Sequence, residues 1–150
     1  MVKLGAAAED GALWLAIGTM LAWVDADRRR RWMVAGATGP LGIVANYPLK
    51  RLFRRARPTL RSERLGWAPN ELSFPSAHAT SSFAAATVMF DVAPRGKLLP
   101  LSLAALVAVG RPYLGMHYPS DVLGGAVFGV ILGTAVLCAL QTEFVAGKVG

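Results

Sequence analysis

Five stretches of the chain are apolar, and charged residues collect between them. They run over about Gly11–Val24, Trp32–Leu49, Phe74–Ala93, Leu98–Val109 and Val122–Leu140. The second carries no charge over 18 residues and the fifth none over 19. A helix needs about 20 residues, with a range of about 17–25, to cross the hydrocarbon of a bilayer. The second and fifth stretches reach that length unaided. The first, third and fourth reach it only with their small and polar flanks, and are otherwise core helices. The pattern predicts an all-α chain: a polytopic transmembrane bundle of about five helices, folded as a single membrane-embedded domain over residues 1–150. Gly125, Gly129 and Gly133 recur every four residues in the last stretch, a spacing that lets two helix backbones approach closely in lipid.

Composition sharpens this. The chain is 54% hydrophobic and 17% charged, against about 25% charged for an average soluble domain. Such a chain is too apolar to be disordered. Cys138 stands alone, so a disulfide scaffold is excluded. One cysteine and two histidines do not make a structural zinc site, and no metal or cofactor is expected. The net charge of +7 raises nucleic acid as a partner. The basic residues, however, come in bursts beside apolar stretches, Arg28–Arg31 and then Lys50–Arg64. That is the pattern of loops flanking membrane helices, so the bilayer and not nucleic acid is the expected partner. Glu9 and Asp10 interrupt the approach to the first apolar stretch, unlike a signal peptide. No long linker, low-complexity tract or repeat of 20–50 residues is evident.

Three clusters lie between the apolar stretches. In the first, Lys50 and Arg57 are seven residues apart, about two turns and one face if the helix continues. Pro58 is expected to stop that helix about there. In the second, Pro75 and Ser76 read as a helix entry with Ser76 as N-cap and His78 in the first turn. The first amides of a helix make a ready phosphate site. In the third, Pro119 and Asp121 suit the start of the last helix. Asp121 stands four residues after His117, placed to accept a hydrogen bond from one imidazole nitrogen and fix its tautomer. Each cluster also has a plainer account: a basic stretch at lipid headgroups, an ordinary capped helix, an acid that only caps. If all five stretches cross a membrane, the three clusters share one aqueous boundary. Basic residues divide almost evenly between the two boundaries, so their count does not orient the chain.

Lys-X6-Arg-Pro over Lys50–Pro58, Pro-Ser-X-His over Pro75–His78, and Arg-X5-His-X3-Asp over Arg111–Asp121 resemble the type 2 phosphatidic acid phosphatase superfamily. That family includes lipid phosphate phosphatases, bacterial acid phosphatases and vanadium haloperoxidases. The chain departs from the family pattern at Ala77, where glycine is usual, and at Gly110, where serine is usual. The first change keeps the backbone amide; the second removes a hydroxyl and one expected hydrogen bond to phosphate. Membrane members commonly have six crossing helices. Here five are counted, and homo-oligomer contacts could replace the packing of the sixth.

The resemblance implies a multi-pass cell-membrane enzyme that removes phosphate from a lipid through a phosphohistidine intermediate, without metal. His117 is then the nucleophile, Asp121 orients it, and His78 is the general acid and base. Lys50, Arg57, Arg111, Ser76 and the Ala77 amide bind the phosphoryl oxygens. Phosphatidic acid, phosphatidylglycerophosphate, isoprenoid diphosphates and polyprenyl-linked sugar phosphates all qualify as substrates. The small size and short loops look like those of bacterial envelope enzymes of the family, including polyprenyl-phosphoribose phosphatases. Two other readings stand beside this one: a non-enzymatic lipid-binding membrane protein, and a vanadate-dependent haloperoxidase-like enzyme.

Overall fold

A computed structural model describes residues 11–58, 71–93, 95–113 and 115–149. These form five α-helices: α1 Ala12–Val24, α2 Arg29–Phe53, α3 Ala77–Val92, α4 Leu98–Tyr113 and α5 Pro119–Val149. One 3-10 turn, Ala26–Arg28, joins α1 to α2. No strand occurs among the described residues, where a single isolated bridge pairs Ala56 with Leu72. The all-α bundle expected from the apolar pattern is therefore present, with the five helices in the five predicted places.

α3 is the hub. It packs along α2, α4 and α5, whereas α4 and α5 touch only lightly. Its composition explains the position. Ala79, Ala84, Ala85 and Ala86 are fully buried, as are Thr80, Val88 and Met89. Small side chains on every face let three neighbours come close at once.

The seam with α5 depends on glycine. A Cβ built on Gly129 would lie 2.5 Å from the Thr80 carbonyl oxygen and 3.0 Å from the Ala84 nitrogen. Gly125 and Gly133 sit equally close to the Ser76 and Ala84 carbonyls. These obstacles are backbone, which cannot rotate away. Gly129→Val is therefore expected to cost about 1–3 kcal/mol or more, as overpacking does. A lowered thermal midpoint of the detergent-solubilised protein would register it; an unchanged midpoint would show that the helices slide apart freely.

Buried polar side chains tie the helices together. Trp14 of α1 donates its indole N–H to Ser82 Oγ at 3.1 Å. Asn46 of α2 donates to Thr80 Oγ at 2.8 Å, and that hydroxyl donates to the Ser76 carbonyl at 3.1 Å. Each bond is held in a dry interior, where leaving the group unpaired would be costly.

Many large apolar side chains lie on the outer surface. Trp23, Leu52, Leu98, Leu99, Leu106, Val109, Leu123 and Ile131 are all exposed, while the interior is mainly alanine, glycine and serine. Among the described helices one stretch, Pro119–Thr142, is long and apolar enough to cross a membrane by length and composition. The expectation that the second segment also qualifies is not met. α2 has the length, but Pro40, Pro48, Asn46 and its basic ends dilute its hydropathy. The helices Ala12–Val24 and Leu98–Tyr113 are apolar but shorter.

Candidate active site

The first cluster does not continue as a helix to Arg57. α2 ends at Phe53, and Arg54 takes a left-handed conformation with φ 47° while its N–H caps the Lys50 carbonyl. The expected shared helical face of Lys50 and Arg57 is thus corrected. Beyond Arg54 the chain runs extended. Ala56 bridges Leu72, and the Ser73 N–H donates to the Arg55 carbonyl at 2.7 Å. The hydroxyl of Ser73 adds a bond to the Ala56 carbonyl at 2.9 Å. The Lys50 ammonium reaches the same strand pair, donating to the Leu72 carbonyl at 3.0 Å and more weakly to that of Ser73 at 3.4 Å. In extended chain, residues two apart point the same way. Arg55 and Arg57 therefore both reach the turn that carries the third cluster.

The second cluster folds as expected. Ser76 caps α3, its Oγ accepting from the Ala79 N–H at a long 3.5 Å. Pro75, preceded by a cis peptide bond, leads into it. Ala77 is the first residue of α3. Its φ is not positive, so nothing in the local backbone demands the glycine of the family pattern. His78 follows in the first turn, and its Nε2 is buried with no hydrogen-bond partner. The Ser76 N–H donates to the Asp121 carbonyl at 2.9 Å, which locks the start of α3 to the start of α5.

The third cluster leaves α4 through Arg111 and a turn in which Gly115 has φ 70°. That conformation is open to glycine and strained for most other residues. Gly115 N–H donates to the Pro112 carbonyl and Met116 N–H to that of Arg111. His117 follows, 4% exposed. Pro119 opens α5 and Asp121 lies in its first turn. A Cβ at Gly110 would meet nothing within 4 Å, so the family's serine would fit there without strain.

Arg57 joins the clusters. Its side chain is buried, and Nη1 donates to the Met116 carbonyl at 3.0 Å and lies 3.4 Å from His117 Nε2. A guanidinium only donates. Nε2 faces this donor, and Nδ1 faces Asp121. Burial holds the His117 pKa down to about 3, with the charges of Arg57 and Lys50 and the neighbouring His78 ring adding to it. The imidazole is neutral at physiological pH. Arg111, Arg57 and Lys50 in turn act electrostatically on His78. Lys50, Arg57, His78, Arg111 and His117, drawn from all three clusters, are thus close enough to act on one another electrostatically.

Asp121 departs from expectation. Its Oδ2 lies 3.5 Å from His117 Nδ1, and Nδ1 makes no hydrogen bond. The carboxylate is drawn to stronger partners instead. Tyr118 N–H donates to Oδ2 at 2.8 Å and Arg55 Nη1 to Oδ1 at 2.9 Å. Arg55 is the residue that sequence reasoning passed over. Within a basic run, nothing marked it until the end of α2 was known. Beside His117 a cavity of about 370 Å³ opens between α4 and α5, lined by Pro58, Pro112, Tyr113, Gly115, Tyr118 and Pro119.

Comparison with known proteins agrees with this architecture. The family model "PAP2 superfamily" matches residues 31–144. Decaprenylphosphoryl-5-phosphoribose phosphatase of Mycobacterium tuberculosis is 41% identical over 124 residues, 82% of this chain and 69% of that protein. Undecaprenyl-diphosphatase BcrC of Bacillus subtilis is 32% identical over 127 residues, covering 81% of this chain and 61% of the relative. Lipid A 1-phosphatase of Rhizobium johnstonii is 37% identical over 98 residues, covering 59% and 38%. No solved structure matches the chain. With the family model covering well over half its length, the chain belongs to the PAP2 superfamily.

Proposed function

We propose that this protein is a multi-pass membrane phosphatase that cleaves a phosphate ester of a polyprenyl-linked or similar lipid, through a phosphohistidine and without metal. That it is a phosphoric ester hydrolase follows from its family and its relatives, which are phosphatases. The observation that supports the mechanism is the buried His117 ring, with Nε2 3.4 Å from the Arg57 guanidinium and Nδ1 3.5 Å from Asp121.

The reaction has two displacements. Nε2 of His117 attacks phosphorus, the P–O bond to the lipid breaks, and His78 gives a proton to the departing oxygen. Water then loses a proton to His78 and attacks phosphorus. The P–N bond breaks, and inorganic phosphate leaves with His117 restored. This is nucleophilic catalysis with a paired acid and base. Lys50, Arg57 and Arg111 offset the charge spread over the phosphoryl oxygens, with the Ser76 hydroxyl hydrogen and the Ala77 amide as further donors. Fixed charge of this kind supplies much of the stabilisation in phosphoryl transfer. A bound phosphate dianion also offsets the three cations around His78, which lets that ring enter as the proton donor.

A lipid substrate is supported by the surroundings. The cavity beside His117 lies at the turn joining α4 to α5 and is lined by proline and tyrosine rings. The apolar outer face of the bundle suits helices set in a bilayer. A lipid tail could stay in the membrane while its headgroup reaches the imidazoles.

Phosphate release from detergent-solubilised lipids tests the reading. The panel should hold a polyprenyl phosphate, a polyprenyl diphosphate, a polyprenyl-linked phosphosugar and phosphatidic acid. Turnover of at least one is expected, and it should persist in EDTA. Release from none of them would overturn the function. Loss in EDTA restored by magnesium would overturn the metal-free mechanism.

A further inference from the structure

We propose that Arg55 is a positioning residue for this reaction: it is the resting counter-ion of Asp121 and holds the 118–121 turn in register beneath His117. The proposal rests on the phosphohistidine reading above and extends it to a residue outside the three sequence motifs.

The argument starts from Asp121. Its side chain is fully buried, and a buried carboxylate needs a nearby positive charge. His117 is the neighbour at 3.5 Å, but a nucleophilic imidazole must stay neutral. The compensation therefore has to come from elsewhere. Arg55 supplies it at 2.9 Å on Oδ1, while the Tyr118 N–H takes Oδ2. The same Nη1 lies 2.7 Å from Ser120 Oγ, and the guanidinium stacks over the Tyr118 ring at 4.2 Å. Three residues of one turn are thus gripped by one side chain. The grip is anchored from behind, because the Arg55 carbonyl accepts from both the N–H and the hydroxyl of Ser73.

This arrangement divides the work of the carboxylate. At rest, Oδ1 belongs to Arg55 and the Oδ2 edge waits beside Nδ1. When Nε2 bonds to phosphorus, the ring becomes positive, and its Nδ1–H finds a carboxylate already aimed at it. Without Arg55, the carboxylate would satisfy itself by drawing a proton onto His117, which removes the attacking lone pair. The other groups facing this pair are Lys50 at the end of α2, Arg57 on the extended segment, His78 at the start of α3 and Arg111 at the end of α4. Three of them are cationic, and Lys50 acts electrostatically on Asp121 as well; Arg55 is distinguished by donating directly to Oδ1 while it also holds Ser120 and Tyr118.

The test uses the full chain in detergent, with phosphatidic acid or another lipid phosphate that the wild type hydrolyses. Arg55→Ala is expected to lower kcat at pH 7 by about 10–100-fold with KM within about threefold, a loss made in the transition state rather than in binding. The acid limb of its kcat/KM profile should move to higher pH, so that the deficit shrinks as pH rises. Arg55→Lys should recover part of the rate, since it keeps the charge but not the fork. In an Asp121→Asn background, Arg55→Ala should add almost nothing, because the two act as a unit. Orthovanadate inhibition gives a companion reading. As a mimic of the five-coordinate state, vanadate should bind Arg55→Ala at least tenfold more weakly than wild type, while inorganic phosphate binds about equally. A loss carried by KM, additivity with Asp121→Asn, or an unshifted acid limb would each overturn the proposal while leaving the phosphatase reading intact. A wild type that neither hydrolyses any lipid phosphate nor binds vanadate would overturn both.

Discussion

His117→Ala is expected to reduce turnover by about four to six orders of magnitude, as removal of a covalent nucleophile does, and to abolish any phosphoenzyme. The size follows from the geometry. Nε2 is the ring nitrogen that lies beside Arg57, and the other histidine, His78, lies in the first turn of α3. The cations beside His117 would remain in place, because Lys50 and Arg57 are also anchored by the Leu72, Ser73 and Met116 carbonyls. The variant should therefore still bind inorganic phosphate. Acid quenching of the wild type during turnover of a labelled lipid phosphate should trap acid-labile label on protein, and the variant should trap none. Near-normal turnover by His117→Ala would remove this residue from the chemistry. The wild-type imidazole is also expected to stay unprotonated well below pH 6.5, since burial and the cations around it depress its pKa to about 3. On acidification the folded protein must either charge that buried ring or unfold. Stability tied to His117 is therefore full above about pH 6.5 and is lost as pH falls toward 3.

Arg57→Lys should cost about two to three orders of magnitude in kcat, the range seen when one donor to a developing oxyanion is removed. Charge is conserved in this variant, so the loss measures shape. The guanidinium binds the Met116 carbonyl and approaches Nε2 with the same nitrogen. It thereby sets the height of the 116–117 turn. An ammonium has three donors at a single point and cannot span both. The kinetic comparison with Arg57→Ala decides the matter. If lysine rescues most of the alanine loss, charge alone is what the site needs there.

The apolar pattern along the chain was enough to place the five helices, because each apolar run ends at charges, prolines or glycines that leave little freedom about the boundary. Ser76 as a cap and Pro119 as a helix opener were equally readable, since both are decided by local backbone geometry. The route from Lys50 to Arg57 was not. A seven-residue spacing fits two helical turns, and only the pairing of residues 55–56 with 72–73, across 12 residues outside the described structure, replaces helix by extended chain. The two cations still converge, by a different path. Arg55 was hidden for the same reason: on a helix it would face away from Arg57, and in extended chain it faces with it. Asp121 was correctly placed near His117 but assigned to it too exclusively, because the competing donors, Arg55 and the Tyr118 amide, come from backbone folding that no spacing reveals.

The alanine, glycine and serine interior has a thermodynamic corollary. Alanine and glycine have no rotamers to freeze, whereas leucine and isoleucine give up about 0.5–1 kcal/mol each when immobilised. The bulky side chains here are mostly on the outside, where they keep their freedom. Assembly of the bundle therefore forfeits little side-chain disorder, and the helices supporting the imidazoles have few alternative packings to visit. Positional accuracy around the two imidazoles is then a by-product of how little the interior has to choose from.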